Sequence, residues 1–597
     1  MRAGYFAESG QGGNPKIAGL LLGGECRLLV REPGARRRAR THLVRRDEIF
    51  LFGQSVALLL VTSWAKAGLL PWWNWFLLGG VSFGFCGVLL LRAEGGRALK
   101  LPWKPALPVF VFLGLTGWSL LHPAYNPPAS LRYNQQEFEE AALRERWKPL
   151  AVFVDKELVD VRAQAGVDPG LALSLFHQFR GRYLELRRES QRSLGQYESP
   201  FDEFVNRFAA QLEKETPAWA PRSLVGGDYT WRRGFPIGLL ILQGILLWQY
   251  LSSRRLIRGL LLVAALNGAL LAVAGTLQKL SYEAGDRVLE IWGLWNAPEP
   301  RYYFASFTYK NHWAAFALSG TCAGIGLIWD ECRGKGTWAW KEPVATGCLA
   351  AVVLVAVSVP LSGSRSGVCL LILLLLMVAV ALAWTWAARS PSFGKRALRF
   401  AAGIGVCLVV MGGLVGFGAG LHRETRSEAV NNTLQQWEAL KEGKPPLRYY
   451  LWKDTWSMFL DRPVFGHGLG SLRALYPLYQ SSEYRKERER GLEYAHRELK
   501  PQTDHSHSDW LQYLAETGLV GVVLLAATPL AALRGRGKRM GTVIGNWTMA
   551  GALLFGLYAL VDFPTRTPAT LLLFVMVFAL GRKHAALEER RAGVSRT

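Results

Sequence analysis

The sequence predicts an all-α, polytopic membrane protein with about twelve transmembrane helices and two large extracytoplasmic loops. Half of the 597 residues are apolar, and they are concentrated in runs of ~17–23 residues that hold few or no charges. A run of that length crosses the ~30 Å hydrocarbon core of a bilayer as one helix. An ordinary soluble enzyme is excluded, and so is a disordered chain, because this much apolar surface must be buried. The predicted spans are residues 49–65, 72–91, 106–122, 235–251, 256–276, 312–329, 343–361, 367–388, 398–420, 510–533, 541–561 and 568–581.

The positions of lysine and arginine predict which side of the membrane each connection faces. One set of connections is short and basic, whereas the alternate short turns carry about one basic residue each, namely Lys66, Arg365 and Arg566. Cytoplasmic loops carry the excess of positive charge, so the basic set and both termini are predicted to be cytoplasmic. The net charge of +24 is then largely topological, and no nucleic-acid partner is predicted. The basic connections are residues 92–104, 254–258, 333–341, 389–399, 534–539 and the tail from 582.

This topology divides the chain into seven parts. The first is rich in glycine and arginine and is predicted to be disordered, while amphipathic stretches such as 170–189 are predicted to lie on the membrane surface or to cap the bundle. No two of the seven cysteines form a CxxC pair, so neither a disulfide framework nor a zinc site is predicted. The parts are the basic cytoplasmic arm 1–48, helices 1–3 in 49–122, the first extracytoplasmic loop 123–234, helices 4–9 in 235–420, the second extracytoplasmic loop 421–509, helices 10–12 in 510–581 and the cytoplasmic tail 582–597.

The strongest candidate for chemistry is the stretch 504–513, which ends the second large loop and opens a membrane helix. It holds His505, His507 and Asp509. A histidine before a helix N-terminus meets the positive end of the helix dipole, so its ring tends to stay neutral and able to accept a proton. Ser508 or Asp509 is predicted to cap the helix, with Gln512 pairing with Asp509. The alternatives are a solvated interfacial loop and, less favoured, a cation site formed by the histidines and aspartates.

The glycines that follow this stretch predict close helix packing. Gly518 and Gly521 are three residues apart and therefore share one face of the helix. A neighbouring helix is expected to approach the backbone there.

Two further segments place arginine beside small residues on the same predicted side of the membrane. Arg365 lies in the short turn 362–367 between two apolar spans, where its planar fork suits a phosphate. Arg448 and Lys453 lie on a predicted amphipathic helix, 447–460, which precedes a glycine-rich turn containing His467. The alternatives are an arginine that extends to the membrane surface, and a purely structural turn below a surface helix.

A fourth segment, 304–313, enters a span from the same side. It places Lys310, Asn311 and His312 at the start of a helix. The alternative is an ordinary belt of aromatic residues and lysine at the membrane interface.

Together these segments bring cationic side chains and a neutral histidine to one side of the membrane. Guanidinium groups there would hold the diphosphate of a lipid-linked sugar, and an imidazole would accept the proton of an incoming hydroxyl. The diphosphate–sugar bond already stores the driving energy, and the sequence has no Walker motif, so no nucleotide or other cofactor is predicted.

At these residues the chain resembles the O-antigen ligase / O-antigen polymerase superfamily of bacterial envelope proteins, over roughly 300–580. The similarity lies in Asn311-His312, in Ser-Arg-Ser-Gly at 364–367, in Arg-x-x-x-Trp followed by a glycine-rich turn at 448–470, in His507-Ser508 with Gly518 and Gly521, and in the closing 561–564.

The resemblance implies a fold of the C-type glycosyltransferase class in the bacterial inner membrane. It implies metal-independent transfer of a glycan from undecaprenyl diphosphate on the periplasmic face. His507 resembles the family's essential base, and Arg365 and Arg448 resemble the residues thought to hold the diphosphate. The additional residues predicted to contact substrate are Lys310, Asn311, His312, Lys453, His467, His505 and Asp509.

The acceptor stays open at this point. A ligase that acts on a lipid A–core sugar ranks first, a polymerase that extends a growing glycan second, and a protein O-oligosaccharyltransferase third. A transporter is the alternative from a different class, and it is disfavoured because the charged residues cluster at the outer ends of the spans rather than along them.

Overall fold

A computed structural model describes most of the membrane-embedded chain. The predicted arm up to residue 43, most of the first large loop and part of the second lie outside the described residues. These are 44–70, 72–97, 103–121, 227–281, 290–296, 303–335, 339–388, 392–424, 447–472, 505–533 and 542–594, with single positions or short stretches within 152–186 and 476–503.

The described part is built from α-helices, with one two-stranded antiparallel sheet and three short 3-10 helices between them. The α-helices are α1 (Arg46–Trp64), α2 (Trp73–Glu94), α3 (Trp103–Leu121), α4 (Gly227–Tyr250), α5 (Arg254–Leu280), α6 (Lys310–Lys335), α7 (Pro343–Leu361), α8 (Arg365–Ala388), α9 (Phe393–Glu424), α10 (Leu447–Asp461), α11 (Asp509–Leu533), α12 (Val543–Val561) and α13 (Pro568–Val594). The strands are β1 (Glu290–Ile291) and β2 (Trp295–Asn296), and the 3-10 helices are Lys66–Gly68, Ala339–Lys341 and Pro564–Arg566.

Each predicted span coincides with one of these helices, and α10 is the helix predicted over 447–460. Seven of the described helices are long and apolar enough to cross a membrane by length and composition: α2, α5, α7, α8, α11, α12 and α13. The chain is therefore an all-α, multi-pass membrane protein, whereas the total of twelve spans stays a prediction.

The described positions of the amphipathic stretch 170–189 indicate what its apolar face contacts. Phe176, Phe179 and Tyr183 are each no more than 2% exposed. Phe179 stacks on Phe153, with ring centroids 5.4 Å apart. This apolar face is thus buried against another segment of the same loop.

Helix α6 lies at the centre of the bundle. Its residues 311–327 are all buried, and it packs against α5, α7, α12 and α13. Small side chains such as Gly324 and Ala323 let the neighbouring helices approach closely, which drives packing where lipid removes the hydrophobic gain. The first turn of this central helix carries Asn311 and His312, so these two side chains start from a rigid position.

The two ends of the bundle differ in chemistry. At one end, acidic side chains pair with the basic connections: Arg92 bonds Asp47 at 3.1 Å, and Arg258 bonds Asp330 and Glu331. The opposite end holds the first turns of α6, α8 and α11 and the 3-10 turn between α12 and α13. The predicted site residues lie at this second end, called the His507 end below.

The spacing of Gly518 and Gly521 predicts that a neighbouring helix packs against them. In the structure Gly518 instead interrupts α11. Its φ of +62° and ψ of −170° are non-helical. The turn 463–468 pairs with the backbone at this break, where Leu519 N donates to Pro463 O at 2.8 Å and Gly468 N donates to Glu516 O at 2.8 Å. The prediction of a neighbouring helix is wrong because the close neighbour is this glycine-rich turn.

Replacing Gly518 by alanine should destabilise the protein by about 2–4 kcal/mol, since this backbone region is strained for any L side chain and a Cβ would lie 2.3 Å from Val464 O. Gly347→Ala on α7 is the matched control, because a Cβ there meets nothing within 4 Å. Thermal unfolding in detergent measures the difference. Equal midpoints for both variants would contradict this account of the break.

Candidate active site

His507 lies in the short segment that leads into α11. Its φ of +52° is left-handed, a conformation uncommon for a non-glycine residue. Ser506 Oγ donates to the Ser508 carbonyl at 2.7 Å, and Ser508 Oγ accepts from the Leu511 amide at 3.4 Å. The second of these bonds is an N-cap, so the imidazole is fixed at the start of a capped helix.

The surroundings of His507 keep its imidazole neutral. Burial first, and then the positive charge of Arg448, lowers the pKa of His507 to about 3. Its Nδ1 has no hydrogen-bond partner among the described residues. A neutral ring with a nitrogen that no described protein group occupies can accept a proton from a bound substrate.

Phe563 is the side chain on which the histidines of the site assemble. Its ring stacks on His505 at 4.4 Å between centroids and meets the edges of His312 and His507 at 4.9 and 5.0 Å. Tyr309 stacks on it at 5.4 Å. One buried aromatic ring therefore sets the positions of three imidazoles.

Arg448 and Arg365 lie next to this histidine cluster. Arg448 Nη1 donates to Val561 O at 2.8 Å, and its Nη2 lies 4.0 Å from Asp562 Oδ2. The charges of Arg365 and Arg448 are close enough to interact with each other, and Arg448 also interacts with His507. The structure thus brings together the three residues predicted to be catalytic.

A buried polar chain supports Arg448 from behind. Asn311 Nδ2 donates to Asp562 Oδ2, and Ser364 Oγ donates to Asn311 Oδ1 at 2.7 Å. Ser364 Oγ also lies 2.9 Å from Tyr558 Oη. The chain links α6, the turn before α8, and α12. Asn311 therefore positions Asp562, which in turn faces the Arg448 guanidinium.

His505 has a different environment from His507. Its Nδ1 lies 3.3 Å from Arg566 Nη1, 3.5 Å from Arg233 Nη1 and 3.3 Å from Gln512 Oε1. Burial first, and then the charges of Arg566 and Arg233, lowers the pKa of His505 well below its ordinary value. Protein groups therefore already surround this nitrogen.

Asp509 and Gln512 do not form the predicted capping pair. Gln512 Nε2 instead donates to Glu516 Oε1 at 2.7 Å. Asp509 Oδ2 accepts from the Thr565 amide at 2.9 Å, and the Asp509 amide donates to Asp562 O at 3.0 Å. The pairing is wrong because Asp509 is occupied in tying the start of α11 to the turn between α12 and α13.

His312 has one nitrogen bonded and one without a described partner. Its Nδ1 lies 2.6 Å from Thr567 Oγ1, which joins α6 to the segment that opens α13. Its buried Nε2 has no hydrogen-bond partner among the described residues. His312 therefore belongs to the Phe563 cluster.

Three further predicted substrate-binding residues, His467, Lys453 and Lys310, have other surroundings. His467 is buried, and its Nε2 donates to Met458 O at 2.8 Å; burial lowers its pKa to about 4. Lys453 is exposed on α10. Lys310 interacts electrostatically with Lys279. Their part in substrate binding stays a prediction.

Several site residues were missed by reasoning from sequence, namely Phe563 as a platform, Asp562, Arg233 and Arg566. Arg566 counted only as one basic residue in a short turn, and the segment with Asp562 and Phe563 was noted only for its family resemblance. Among the described residues, no group of three or more His, Cys, Asp or Glu side chains could hold a metal ion.

The described helices form a polytopic membrane protein with a histidine–arginine cluster at one end of the bundle. Residues 350–526 match the family model described as O-antigen ligase, and this stretch contains Arg365, Arg448 and His507. This match supports the O-antigen ligase superfamily, and with it a membrane enzyme that processes glycans, so it confirms the resemblance noted in the sequence. Comparison with curated proteins and with solved structures gives no significant match.

Proposed function

We propose that the protein transfers a glycan from undecaprenyl diphosphate to an acceptor hydroxyl, without a cofactor or metal. The observation that carries the proposal is that His507, whose buried Nδ1 has no hydrogen-bond partner among the described residues, lies beside Arg448, whose charge lowers the pKa of His507 and interacts with Arg365. A diphosphate needs cationic groups, and an attacking hydroxyl needs a base. Both are present at one end of the bundle.

In this reaction the oxygen of the acceptor hydroxyl bonds to the anomeric carbon of the donor sugar while His507 takes the hydroxyl proton. The bond from that carbon to the diphosphate oxygen breaks, and the electron pair leaves with undecaprenyl diphosphate. Arg448 and Arg365 stabilise the charge of this leaving group. Imidazolium then returns its proton to water.

The low pKa of His507 fits a base that is strengthened by the substrate itself. Without donor, the charge of Arg448 adds to burial in disfavouring the imidazolium. The negative diphosphate offsets that charge and so raises the pKa of the imidazole toward the working range. His507 therefore gains basicity when the donor is bound.

The proposed location is the bacterial inner membrane, with the His507 end on the periplasmic side. The described basic connections at Arg92, Arg254 and Arg258 lie at the opposite end of the bundle and pair with acidic side chains. Cytoplasmic loops carry the positive excess. A cysteine introduced at the exposed Lys453 should react with a membrane-impermeant reagent from the periplasm, and reaction only from the cytoplasm would overturn this orientation.

A ligase that adds the glycan to a lipid A–core sugar is the proposed activity, ahead of polymerisation and protein glycosylation. The purified protein is supplied with a lipid-linked glycan and, separately, with lipid A–core, a second lipid-linked glycan and an acceptor protein. A product with lipid A–core supports the ligase, and a product with either other acceptor alone replaces it by that activity. The absence of every product would refute glycan transfer.

Transport through the bundle is disfavoured by the pairing of buried polar groups. Gln54 Oε1 accepts from Gln243 Nε2 at 2.9 Å between α1 and α4. Trp64 Nε1 donates to Asn267 Oδ1 at 2.8 Å between α1 and α5. These side chains join helices to one another, as polar groups in a closed bundle do.

The pH dependence of transfer should identify Asp562 as a positioning residue. Burial raises the pKa of Asp562 to about 6, while Arg448 opposes the rise. Above pH 6 the carboxylate faces Arg448, and below it protonation removes that charge. The KM for the donor should therefore rise as pH falls through about 6, and Asp562→Asn should abolish this rise. An unchanged acid limb in the variant would assign it to another group.

A further inference from the structure

The short 3-10 helix between α12 and α13 is fixed to the start of α11. The Thr565 amide donates to Asp509 Oδ2 at 2.9 Å, and Thr565 Oγ1 lies 2.7 Å from Tyr513 Oη. The next residue is Arg566, whose amide donates to Phe563 O at 3.2 Å. The backbone that carries Arg566 is therefore held in place beside Phe563, the ring on which the histidines assemble.

The guanidinium of Arg566 lies against His505. Arg566 Nη1 is 3.3 Å from His505 Nδ1, and Arg233 Nη1 is 3.5 Å from the same nitrogen. Glu516 Oε2 lies 3.9 Å from Arg233 Nε, with the side chain of Arg233 15% exposed and that of Glu516 buried. Arg566 itself is exposed. Of these two arginines, Arg566 is therefore the one that a substrate can reach directly.

Arg566 and Arg448 act on different histidines of the site. Burial and the charge of Arg448 lower the pKa of His507. Burial and the charge of Arg566 lower the pKa of His505. His505 and His507 contact the same ring, that of Phe563, at 4.4 and 5.0 Å between centroids. Each of two neighbouring imidazoles therefore has its own cationic neighbour.

We propose that Arg566, held by His505, binds an anionic substituent, a carboxylate or a phosphate ester, on the sugar that presents the acceptor hydroxyl to His507. The inference rests on the proposed glycan transfer and deepens it, because it makes the acceptor an acidic saccharide. The donor diphosphate is already assigned to Arg448 and Arg365, so a further cationic group beside the base indicates a second anion. A guanidinium binds carboxylate and phosphate through the same planar fork.

The second arginine of this group makes an anion at Arg566 more favourable. Arg566 and Arg233 both approach one nitrogen of His505, so two like charges lie within two hydrogen-bond lengths of each other. Like charges at such a distance repel, and the repulsion is largest where the groups are shielded from water. Glu516 offsets part of it from the side of Arg233. A carboxylate or phosphate at Arg566 offsets more of it from the side of the substrate.

The preference for a charged acceptor tests the inference. Three preparations of lipid A–core are compared, in which the outer sugar is neutral, phosphorylated or carboxylated. The ratio of kcat/KM for a charged acceptor to kcat/KM for the neutral one measures the preference. We expect Arg566→Gln to lower this ratio at least about tenfold, because glutamine keeps hydrogen-bonding groups and removes the charge.

Two further variants serve as controls. Arg448→Ala should lower kcat/KM for all three acceptors in common and leave the ratio unchanged, because Arg448 acts on the donor. Arg255→Gln should leave every kcat/KM value unchanged, since Arg255 is exposed at the opposite end of the bundle. An unchanged ratio in Arg566→Gln, or an equal fall in Arg255→Gln, would overturn the assignment. A dependence on acidic sugars of the donor glycan alone would move the anion to the donor and likewise overturn it.

A second measurement needs no turnover. In protein that carries Arg365→Ala and Arg448→Ala, glucose 6-phosphate should bind at least about tenfold more tightly than glucose, and adding Arg566→Gln should abolish the difference. Equal affinity for the two sugars before that last change would refute the subsite. The expected binding, together with an absence of glycan transfer by the wild type, would retain the subsite and refute the proposed reaction.

Discussion

Replacing His507 by alanine should reduce glycan transfer by about 10²–10⁴-fold, the usual contribution of a positioned general base. The variant should still insert and bind the donor, because the ring of His507 contacts Phe563 only by its edge and Arg448 is held independently by Val561. Transfer is measured by single-turnover formation of the glycosylated acceptor, and donor binding by titration. Transfer at the wild-type rate would refute the assignment of the base.

His505→Asn is the informative comparison for this variant. Arg566, Arg233 and Gln512 surround Nδ1 of His505, whereas Nδ1 of His507 has no described partner. We therefore expect a smaller loss for His505→Asn, arising from displaced arginines rather than from a missing base. If His505→Asn abolished transfer and His507→Ala did not, the two roles would be exchanged.

The helices were predictable because hydrocarbon imposes a local rule on the sequence. Every backbone polar group within the bilayer must be bonded inside its own segment, so a long apolar run becomes a helix. The apolar runs 343–361 and 367–388 accordingly coincide with α7 and α8. The apolar runs alone do not determine the number of spans, because helices such as α6 carry few apolar residues at their ends and are buried by neighbouring helices.

Within the site, the sequence indicated those residues whose side chains are titratable or charged and whose position along the chain is distinctive. His507 could be selected from its place before a helix N-terminus, and Arg365 from its place between two apolar spans. Phe563 and Asp562 carry no such signature. Their importance comes from contacts such as Asn311 to Asp562, which join residues 251 positions apart. Only the packing of α6 against α12 creates that contact.

The helix break at Gly518 shows how one pattern can have two physical origins. Two glycines on one helix face predict a close helix neighbour, and the spacing of Gly518 and Gly521 fits that rule. A single residue at φ +62° converts the same position into an interruption that pairs with the turn 463–468. Hydropathy cannot distinguish the two, because both need a residue without a side chain.

Removal of the Arg448 guanidinium should weaken donor binding about 10- to 100-fold, because a hydrogen bond to a charged group contributes roughly 1.5–3 kcal/mol. Arg448→Lys should recover only part of this loss, since an ammonium group keeps the charge but not the planar fork. Arg365→Ala should behave in the same way, as its charge interacts with that of Arg448. Titration with undecaprenyl diphosphate measures the affinity, and a separate titration measures that of the acceptor.

Arg255→Ala supplies the control for charge alone, because Arg255 is exposed near the start of α5, at the opposite end of the bundle. It should leave donor affinity unchanged, which separates a local contact from the net charge of the protein. Arg448→Ala should also raise the pKa of His507, since the charge of Arg448 is one of the two causes that lower it. An unchanged donor affinity together with an unchanged acid limit of transfer would refute both the diphosphate contact and the electrostatic coupling of Arg448 to the base.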